Sequence, residues 1–241
     1  GQVKSAMIYP VAVIVIAGGV VGVILWKVIP TFASLFAGLG AELPLPTRIV
    51  IAMSNGLVTF FLPILAILAV AGWLFRNYYQ THNGRRVVDG TMLKMPILGD
   101  ILRKIAVARF CRTLATLISS GVPILDGLEI TAKTSGNSVI EDAVMLTRKS
   151  IERGETISAP LKETAVFPAM VTQMIGVGEA TGALDTMLAK IADFYEEEVD
   201  AAVAGLLTLL EPVMIAVLGV IVGGIVIAMY LPIFDLISKL T

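Results

Sequence analysis

The chain has 241 residues, of which 56% are hydrophobic and 15% are charged, and its formal net charge is −1. Soluble globular proteins are far less apolar, so the composition predicts an integral membrane protein. The single cysteine, Cys111, and the single histidine, His82, exclude an internal disulfide and any metal site built from several such ligands. Charged residues are concentrated between residues 76 and 212, which hold all but four of the 18 lysines and arginines and all but two of the 19 acidic residues.

The first predicted membrane helix ends at residue 29. Residues 7–29 are almost all aliphatic or glycine, and this length crosses a hydrocarbon core of roughly 30 Å at about 1.5 Å per residue. The chain begins without a signal-peptide n-region, so we expect residues 1–29 to contain the end of an upstream domain followed by this helix. Pro30, Pro44 and Pro46 predict a short periplasmic loop over residues 30–55 that holds at most one interfacial helix.

A second membrane helix is predicted at residues 56–75, followed by a basic cytoplasmic linker at residues 76–97. Between residues 76 and 112 there are eight basic residues and two acidic ones. By the positive-inside rule this side of the membrane is the cytoplasm, and the loop at 30–55 lies on the opposite side.

Residues 98–211 predict a cytoplasmic bundle of six helices. Apolar residues recur there at three-to-four spacing, with a glycine or proline at each junction. Ser138, with Glu141 three residues later, has the spacing of a capping box at the start of the third helix. No segment alternates with a period of two, so we expect no sheet.

The bundle is predicted to continue into a third membrane helix at residues 212–234, with a short periplasmic tail at 235–241. Pro168 predicts a helix start. The run from Gly178 to Gly182 predicts the end of that helix, and an amphipathic helix then begins near Leu184 and runs into the membrane. The predicted fold class is therefore all-α: a polytopic membrane protein with three transmembrane helices and one cytoplasmic six-helix bundle.

Prolines recur at a constant offset in the first and third membrane segments. Pro10 and Pro30 lie twenty residues apart, as do Pro212 and Pro232, and the offset between the two pairs is 202. Such a repeat predicts a duplicated unit, a helical domain followed by a membrane helix, of which the first residues are the tail of an upstream copy.

The sequence offers no group for catalysis or for cofactor binding. It contains no P-loop motif, and the glycines from Gly176 to Gly182 lack the spacing of a dinucleotide fingerprint. The acidic run Glu196-Glu197-Glu198 occupies consecutive helix positions, which do not converge on a metal ion, so a solvated face or a partner contact is expected instead. We therefore predict no enzyme activity, no metal, no cofactor and no nucleic-acid binding.

Several motifs along the chain resemble those of the inner-membrane platform family of type IV pilus and type II secretion machines, and they occur in the family's order. They are Arg109-Phe110-x-Arg112-Thr113-Leu114, Ser120-Gly121-Val122-Pro123-Ile124-Leu125, Phe167-Pro168, Gly178-Glu179-x-Thr181-Gly182-x-Leu184-Asp185 and Phe194-Tyr195-Glu196-x-Glu198-Val199-Asp200. The likeness extends over the whole chain and is strongest to the pilus branch.

The resemblance implies two homologous six-helix cytoplasmic domains and three membrane helices, of which this chain holds the second domain and all three helices. It implies a non-catalytic role in the bacterial cytoplasmic membrane, coupling hexameric assembly and retraction ATPases to the insertion or removal of pilin subunits. Other inner-membrane pilus proteins, the lipid bilayer and further copies of the chain are the remaining implied partners. The alternatives are a type II secretion platform protein and the membrane subunit of an ATPase-driven transporter.

Three groups of residues are candidates for function. They are a mechanical turn (Gly178, Glu179, Thr181, Gly182, Leu184, Asp185), partner contacts (Arg109, Arg112, Glu196, Glu197, Glu198, Asp200) and a membrane boundary (Glu211, Pro212). For the charged residues, a merely solvated surface is the alternative. Glu211 is singled out because an acid near a membrane segment is a candidate by default, although at a helix end it can reach headgroups or water.

Overall fold

The computed structural model describes residues 2–38 and 43–240, and within these ranges the secondary structure is entirely helical. Its elements are α1 (Gln2–Val23), a π-helical segment (Ile24–Val28), α2 (Ile29–Gly38), α3 (Leu45–Gln80), α4 (His82–Lys94), α5 (Leu98–Ser119), α6 (Ile124–Thr134), α7 (Ser138–Ile151), α8 (Ser158–Glu163), α9 (Ala169–Thr181) and α10 (Leu184–Leu240). The all-α prediction is confirmed.

The chain forms two compact units, which are described separately. Gly1–Leu74 and Ala204–Thr241 make up one, called here the apolar unit, and Phe75–Val203 make up the other, called the bundle unit. Two helices, α3 and α10, have residues in both.

Three helical stretches are long and apolar enough to cross a membrane, as predicted: Ile8–Gly38, Leu45–Gln80 and Leu184–Asp235. The first two extend further than the sequence indicated, since the first continues past Pro30 to Gly38 and the second begins at Leu45. Pro46 occupies the first turn of α3, where its missing N–H is not needed. Pro30 follows the π-helical segment.

The predicted periplasmic loop at residues 30–55 is mostly helical, since residues 30–38 belong to α2 and residues 45–55 to α3. Only residues 43–44 of that range are described as non-helical, and residues 39–42 lie outside the described part of the chain. Likewise, the expected tail after residue 234 continues α10 as far as Leu240.

Helices α5 to α9 and the first part of α10 form the predicted six-helix bundle around one apolar core. The rings of Phe110 and Phe167 pack with their centroids 5.0 Å apart, joining α5 to the segment before α9. Burial of these side chains from water is the main stabilising contribution to the unit. The largest fully buried apolar side chains are Phe110, Leu114, Leu128, Ile140, Leu161, Ile175, Leu188 and Ile191.

Residues 76–97, predicted as a linker, belong to the bundle unit. Residues 82–94 form α4, which contacts α5 and α7. Asp89 is buried and its carboxylate accepts hydrogen bonds from Tyr79 Oη at 3.0 Å and from the Ser138 backbone N at 2.7 Å. The basic residues of this segment suggested an exposed linker. The burial of Asp89 leaves no periodic pattern in the sequence, so it could not be predicted.

The start of α7 also differs from the prediction. Asn137, not Ser138, is the N-cap residue, and its Oδ1 accepts from the backbone N of Val139 and of Ile140. Ser138 is already helical and buried, and its hydroxyl has no partner among the described residues. Asparagine is as good an N-cap as serine, which explains why the helix starts one residue earlier than the capping-box reading implied.

Candidate functional site

The predicted mechanical turn is a glycine-capped junction between α9 and α10. Gly182 has a φ of 71° and a ψ of 16°, the left-handed conformation that an L side chain disfavours. The Ala183 N–H donates to the Gly178 carbonyl at 3.0 Å, and the Gly182 N–H donates to the Glu179 carbonyl at 3.4 Å. This pair of bonds is a Schellman motif, so α9 ends and α10 starts within two residues.

Gly178 lies inside α9 and not in the turn itself. A Cβ placed on Gly178 would lie 3.0 Å from Leu184 Cα and 3.1 Å from Met187 Cβ. The glycine therefore lets the first turn of α10 approach the α9 backbone closely. Leu184 is half-buried against the core cluster.

Glu179 connects this junction to α8. Its Oε1 accepts from the Ile157 backbone N at 2.6 Å and its Oε2 accepts from the Ser158 backbone N at 3.1 Å. The first residues of α8 have no side-chain cap of their own, so Glu179 supplies it from another helix. Thr181 and Asp185, by contrast, make only local contacts: Thr181 Oγ1 donates within α9, and Asp185 Oδ1 accepts from the neighbouring Thr186 hydroxyl.

Two of the six predicted partner contacts form an ion pair on the bundle surface. The Arg112 guanidinium on α5 donates to both carboxylate oxygens of Glu196 on α10, at 2.9 and 3.0 Å, and also to Asp193. These hydrogen bonds, first to Glu196 and then to Asp193, raise the pKa of Arg112. Bidentate geometry is the strongest arrangement for such a pair, so Arg112 has a structural partner within the chain.

A second ion pair lies along the same two helices. Lys104 Nζ lies 3.0 Å from Glu198 Oε2 and 3.2 Å from Asp100 Oδ2. Its hydrogen bonds to Glu198 and Asp100 raise the pKa of Lys104. The contacts of Arg112 and Lys104 together make up a charged seam between α5 and α10, defined here as Lys104, Arg112, Glu196 and Glu198.

The remaining predicted contacts are exposed and have no salt bridge in the described part of the chain: Arg109, Glu197 and Asp200. Glu197 and Asp200 are three residues apart on α10 and so lie on one side of it. Arg109 lies beside the Gly136 turn, where an added Cβ would approach its Nη1 to 2.5 Å.

The predicted membrane boundary lies inside α10, which continues through Pro212. Glu211 is exposed and lines a cavity of about 170 Å³ together with Tyr9, Pro10 and Leu207. No salt bridge to Glu211 occurs among the residues described.

Across residues 2–38 and 43–240, no cluster of three histidine, cysteine or acidic side chains has the arrangement of a metal site. Cys111 is fully buried on α5, and burial raises the pKa of its thiol. The thiol is therefore protonated at neutral pH, which makes it a poor nucleophile.

Two features escaped the sequence reasoning. Asp89, with Tyr79 and the α7 backbone, gave no periodic signal; its one clue was an acid in an otherwise basic segment. Glu179 was assigned to a turn, whereas its function in the fold is to cap α8, a long-range contact that spacing alone does not reveal.

Comparison with known proteins supports the family assignment. Residues 110–232 match the family described as "Type II secretion system (T2SS), protein F". The chain is similar to "Type IV pilus assembly protein PilC" of Myxococcus xanthus, with 53% identity over 235 residues, 98% of this chain and 56% of that protein. It is also similar to the protein of the same name from Thermus thermophilus, with 50% identity over 242 residues, 100% of this chain and 60% of that protein.

A secretion protein gives a weaker match over the same span. "Type II secretion system protein F" of Pseudomonas aeruginosa is 34% identical over 237 residues, 98% of this chain and 58% of that protein. The chain thus spans between 56% and 60% of the length of these three relatives. Since the family match covers 110–232, more than half of the sequence, the chain belongs to the type II secretion system protein F family.

Proposed function

We propose that the chain is the main membrane-spanning part of a platform protein of a type IV pilus machine in the bacterial inner membrane. In this proposal the bundle unit lies in the cytoplasm, receives the motion of a hexameric assembly or retraction ATPase, and transmits it to the helices where pilin subunits are inserted or removed. The chain itself catalyses no reaction. The higher identity to pilus assembly relatives than to the secretion relative favours the pilus over the secretion role.

The observation that carries the coupling proposal is the continuity of α10. This helix begins at Leu184, directly after the Gly182 junction in the bundle unit, and continues to Leu240 in the apolar unit. A helix transmits displacement along its axis because most of its backbone carbonyls are hydrogen-bonded to the next turn, and α10 stays helical through Pro212 and Pro232. A movement of the bundle at the α9–α10 junction therefore has a covalent and hydrogen-bonded path into the third candidate span.

The Glu179 contact makes the junction a suitable starting point for that path. Because Glu179 caps α8 while the Schellman bonds fix the start of α10, three helices meet within one network. Because these hydrogen bonds restrict independent movement of the three helices, a displacement of α8 or α9 also displaces the start of α10. We propose this network as the mechanical turn.

The proposed ATPase contacts are the charged side chains that the chain does not pair itself. Arg112, Glu196 and Glu198 have partners within the bundle, so they hold α5 against α10 and are less available for binding. Arg109, Glu197 and Asp200 remain exposed without an ion pair and are the residues we assign to partner binding.

The turn proposal is tested by a pair of matched glycine substitutions in the full-length protein in its host. Gly182 and Gly154 both have positive φ, both are exposed, and neither has a neighbour within 4 Å of an added Cβ, but only Gly182 lies at the start of α10. We expect Gly182→Val to abolish surface pili while the protein stays in the membrane, and Gly154→Val to leave piliation intact. Normal pili with Gly182→Val would contradict the proposal.

The partner assignment is tested by photocrosslinking in native membranes. A photoreactive residue at position 197 or 200 should crosslink to the hexameric ATPase, whereas the same probe at the exposed position 177 on α9 should not. Crosslinks from position 177 alone would contradict the assignment and would place the ATPase contact on α9. Secretion of exoproteins in place of piliation in the same strains would favour the type II secretion role.

A further inference from the structure

Two prolines each leave a backbone carbonyl of a candidate membrane helix without its usual donor. Pro232 lies inside α10, where the residue at that position would normally donate its N–H to the Ala228 carbonyl four residues earlier. Pro30 follows the π-helical segment, in which the Ile29 N–H donates to the carbonyl five residues earlier. The next donor in that register would be residue 30, and proline has no N–H to give to the Leu25 carbonyl.

Both carbonyls accept a hydrogen bond from a hydroxyl of α3. Thr47 Oγ1 donates to the Ala228 carbonyl at 2.6 Å, and Ser54 Oγ donates to the Leu25 carbonyl. Thr47 is 8% exposed and Ser54 is completely buried, in an otherwise largely exposed helix. The two hydroxyl residues are seven positions apart, about two helical turns, so they lie on one face of α3.

These two bonds differ from the other hydroxyl-to-carbonyl bonds of the described residues in how far apart in sequence their partners are. In the described residues, every other serine or threonine hydroxyl that donates to a backbone carbonyl reaches one within four positions of itself, usually on its own helix, as Thr131 does to Gly127 and Thr208 to Ala204. Such local bonding is the default for these side chains in helices. Thr47 and Ser54 reach instead across 181 and 29 positions.

Two further prolines inside helices, Pro63 and Pro212, have no such partner among the described residues. Pro63 and Pro212 leave the carbonyls of Thr59 and Thr208 without a helical donor in the same way. No side chain in the described ranges donates to either carbonyl. Of these four prolines, only Pro30 and Pro232 have a hydroxyl donor from α3. They are one of the two proline pairs related by the 202-residue offset, the other being Pro10 and Pro212.

We propose that two hydroxyl groups of α3 replace hydrogen bonds that prolines remove: Thr47 compensates for Pro232 in the third candidate span, and Ser54 compensates for Pro30 in the first. In hydrocarbon an unsatisfied carbonyl is costly because no water is available to bind it, so a donor from a neighbouring helix stabilises the broken turn. Each bond also fixes α3 to another span at the point where its backbone is weakest. This inference does not depend on the proposed pilus function.

The proposal is tested by double-mutant cycles on the full chain in detergent micelles, with reversible unfolding as the readout. Ser54→Ala should raise the equilibrium constant for unfolding about 3-fold, the size of an average hydrogen bond between membrane helices. In a Pro30→Ala background, alanine supplies the missing N–H, so Ser54→Ala should then have little effect. Thr47→Val with Pro232→Ala should show the same coupling.

Matched variants separate the hydrogen bond from packing. Thr47→Ser keeps the hydroxyl and should behave like the wild type, while Thr47→Val removes it at nearly constant volume. Thr59→Val changes an exposed threonine of the same helix and should be neutral, and Ser54→Ala combined with Pro63→Ala should be additive.

Equal effects of Ser54→Ala with and without Pro30, or equal stabilities of Thr47→Ser and Thr47→Val, would overturn the proposal. If Pro30→Ala prevents insertion into the membrane, the Thr47 and Pro232 cycle decides by the same criterion. Coupling in one cycle alone would limit the hydroxyl replacement to that proline and would overturn the proposal that both prolines are compensated.

Discussion

The bundle unit and the apolar unit use opposite kinds of contact to hold helices together. In the bundle unit, apolar side chains such as Leu128 and Ile191 are fully buried, and the Arg112–Glu196 ion pair lies on the surface. In the apolar unit, large apolar side chains face outward, with Leu62 at 77% and Val220 at 76% exposure, and the buried polar contacts are hydroxyl bonds to backbone carbonyls. One arrangement suits water and the other suits lipid.

The difference shows which interactions carry the energy in each unit. Removing apolar surface from water stabilises the bundle, while lipid tails solvate apolar side chains and give the apolar unit no such contribution. The loss of stability on substitution in the bundle should therefore vary widely, from large at core residues to small at surface ion pairs. Cys111, the single and fully buried cysteine, allows bundle unfolding to be followed by pulsed thiol labelling.

The largest effect is expected from the core. Phe110→Ala should destabilise the bundle by about 3–5 kcal/mol, because it removes a fully buried ring, breaks the contact with Phe167 and leaves a cavity. The measurement is the denaturant midpoint for Cys111 labelling. Val177→Ala, at a position 52% exposed on α9, is the control and should shift the midpoint little.

Loss of the α8 cap should come next. Glu179→Ala removes a carboxylate that accepts from two backbone N–H groups and leaves them unpaired, at a cost of about 1.5–3 kcal/mol. The same labelling assay measures it, with the exposed Glu155→Ala as the control. A shift no larger than that of Glu155→Ala would mean that water replaces the cap without loss.

The stability of the bundle should decrease at alkaline pH because the Cys111 thiol is buried. Burial raises the pKa of Cys111 in the folded bundle. Above about pH 8.5, the ordinary thiol pKa, the unfolded chain therefore loses a proton that the folded chain retains. Stability present below that pH should fall as the pH rises, by up to about 1.4 kcal/mol per unit.

The control for the thiol effect is Cys111→Ala, measured by circular dichroism during denaturant unfolding from pH 8 to 10. Other groups titrate in both proteins, so the steeper fall of the wild type isolates the thiol. Parallel curves for the two proteins would show that Cys111 gains access to water in the folded state.

The smallest effect should come from the charged seam. Arg112 and its partners are all more than a third exposed, so Arg112→Gln should cost no more than about 1 kcal/mol despite its bidentate contact. The difference from wild type should shrink at high salt, since exposed pairs are screened. A loss as large as that of Phe110→Ala would mean that surface charge, and not the core, holds α5 to α10.

The sequence was sufficient to predict the helical class, the three apolar spans and the six bundle helices, because periodicity and glycine or proline junctions are local signals. Gly121 and Gly182 end α5 and α9 in the left-handed conformation, as their positions indicated. Pro30 misled the prediction because the helix continues past it after a π-helical segment, and the Ser54 hydroxyl donates to the Leu25 carbonyl from 29 positions away.

The candidate site was harder to predict for the same reason. Spacing placed Arg112 and Glu196 on helix surfaces but did not show that they pair with each other across 84 positions. Glu179 and Asp89 act on backbone N–H groups of helices distant in sequence, and such contacts have no periodic signature. Patterns therefore place a residue on a helix or in a turn, but they do not show which distant residue it contacts.

The most direct test of the central claim, that the bundle acts on the membrane through α10, is the number of surface pili in cells whose helix has been interrupted. Two glycines inserted after Val203, the last residue of the bundle unit, should break the hydrogen-bonded path while both units remain folded. The same insertion in the exposed turn at residues 153–155 is the control. Coupling through α10 predicts few or no pili with the first insertion and normal numbers with the second; wild-type piliation with α10 interrupted would contradict it.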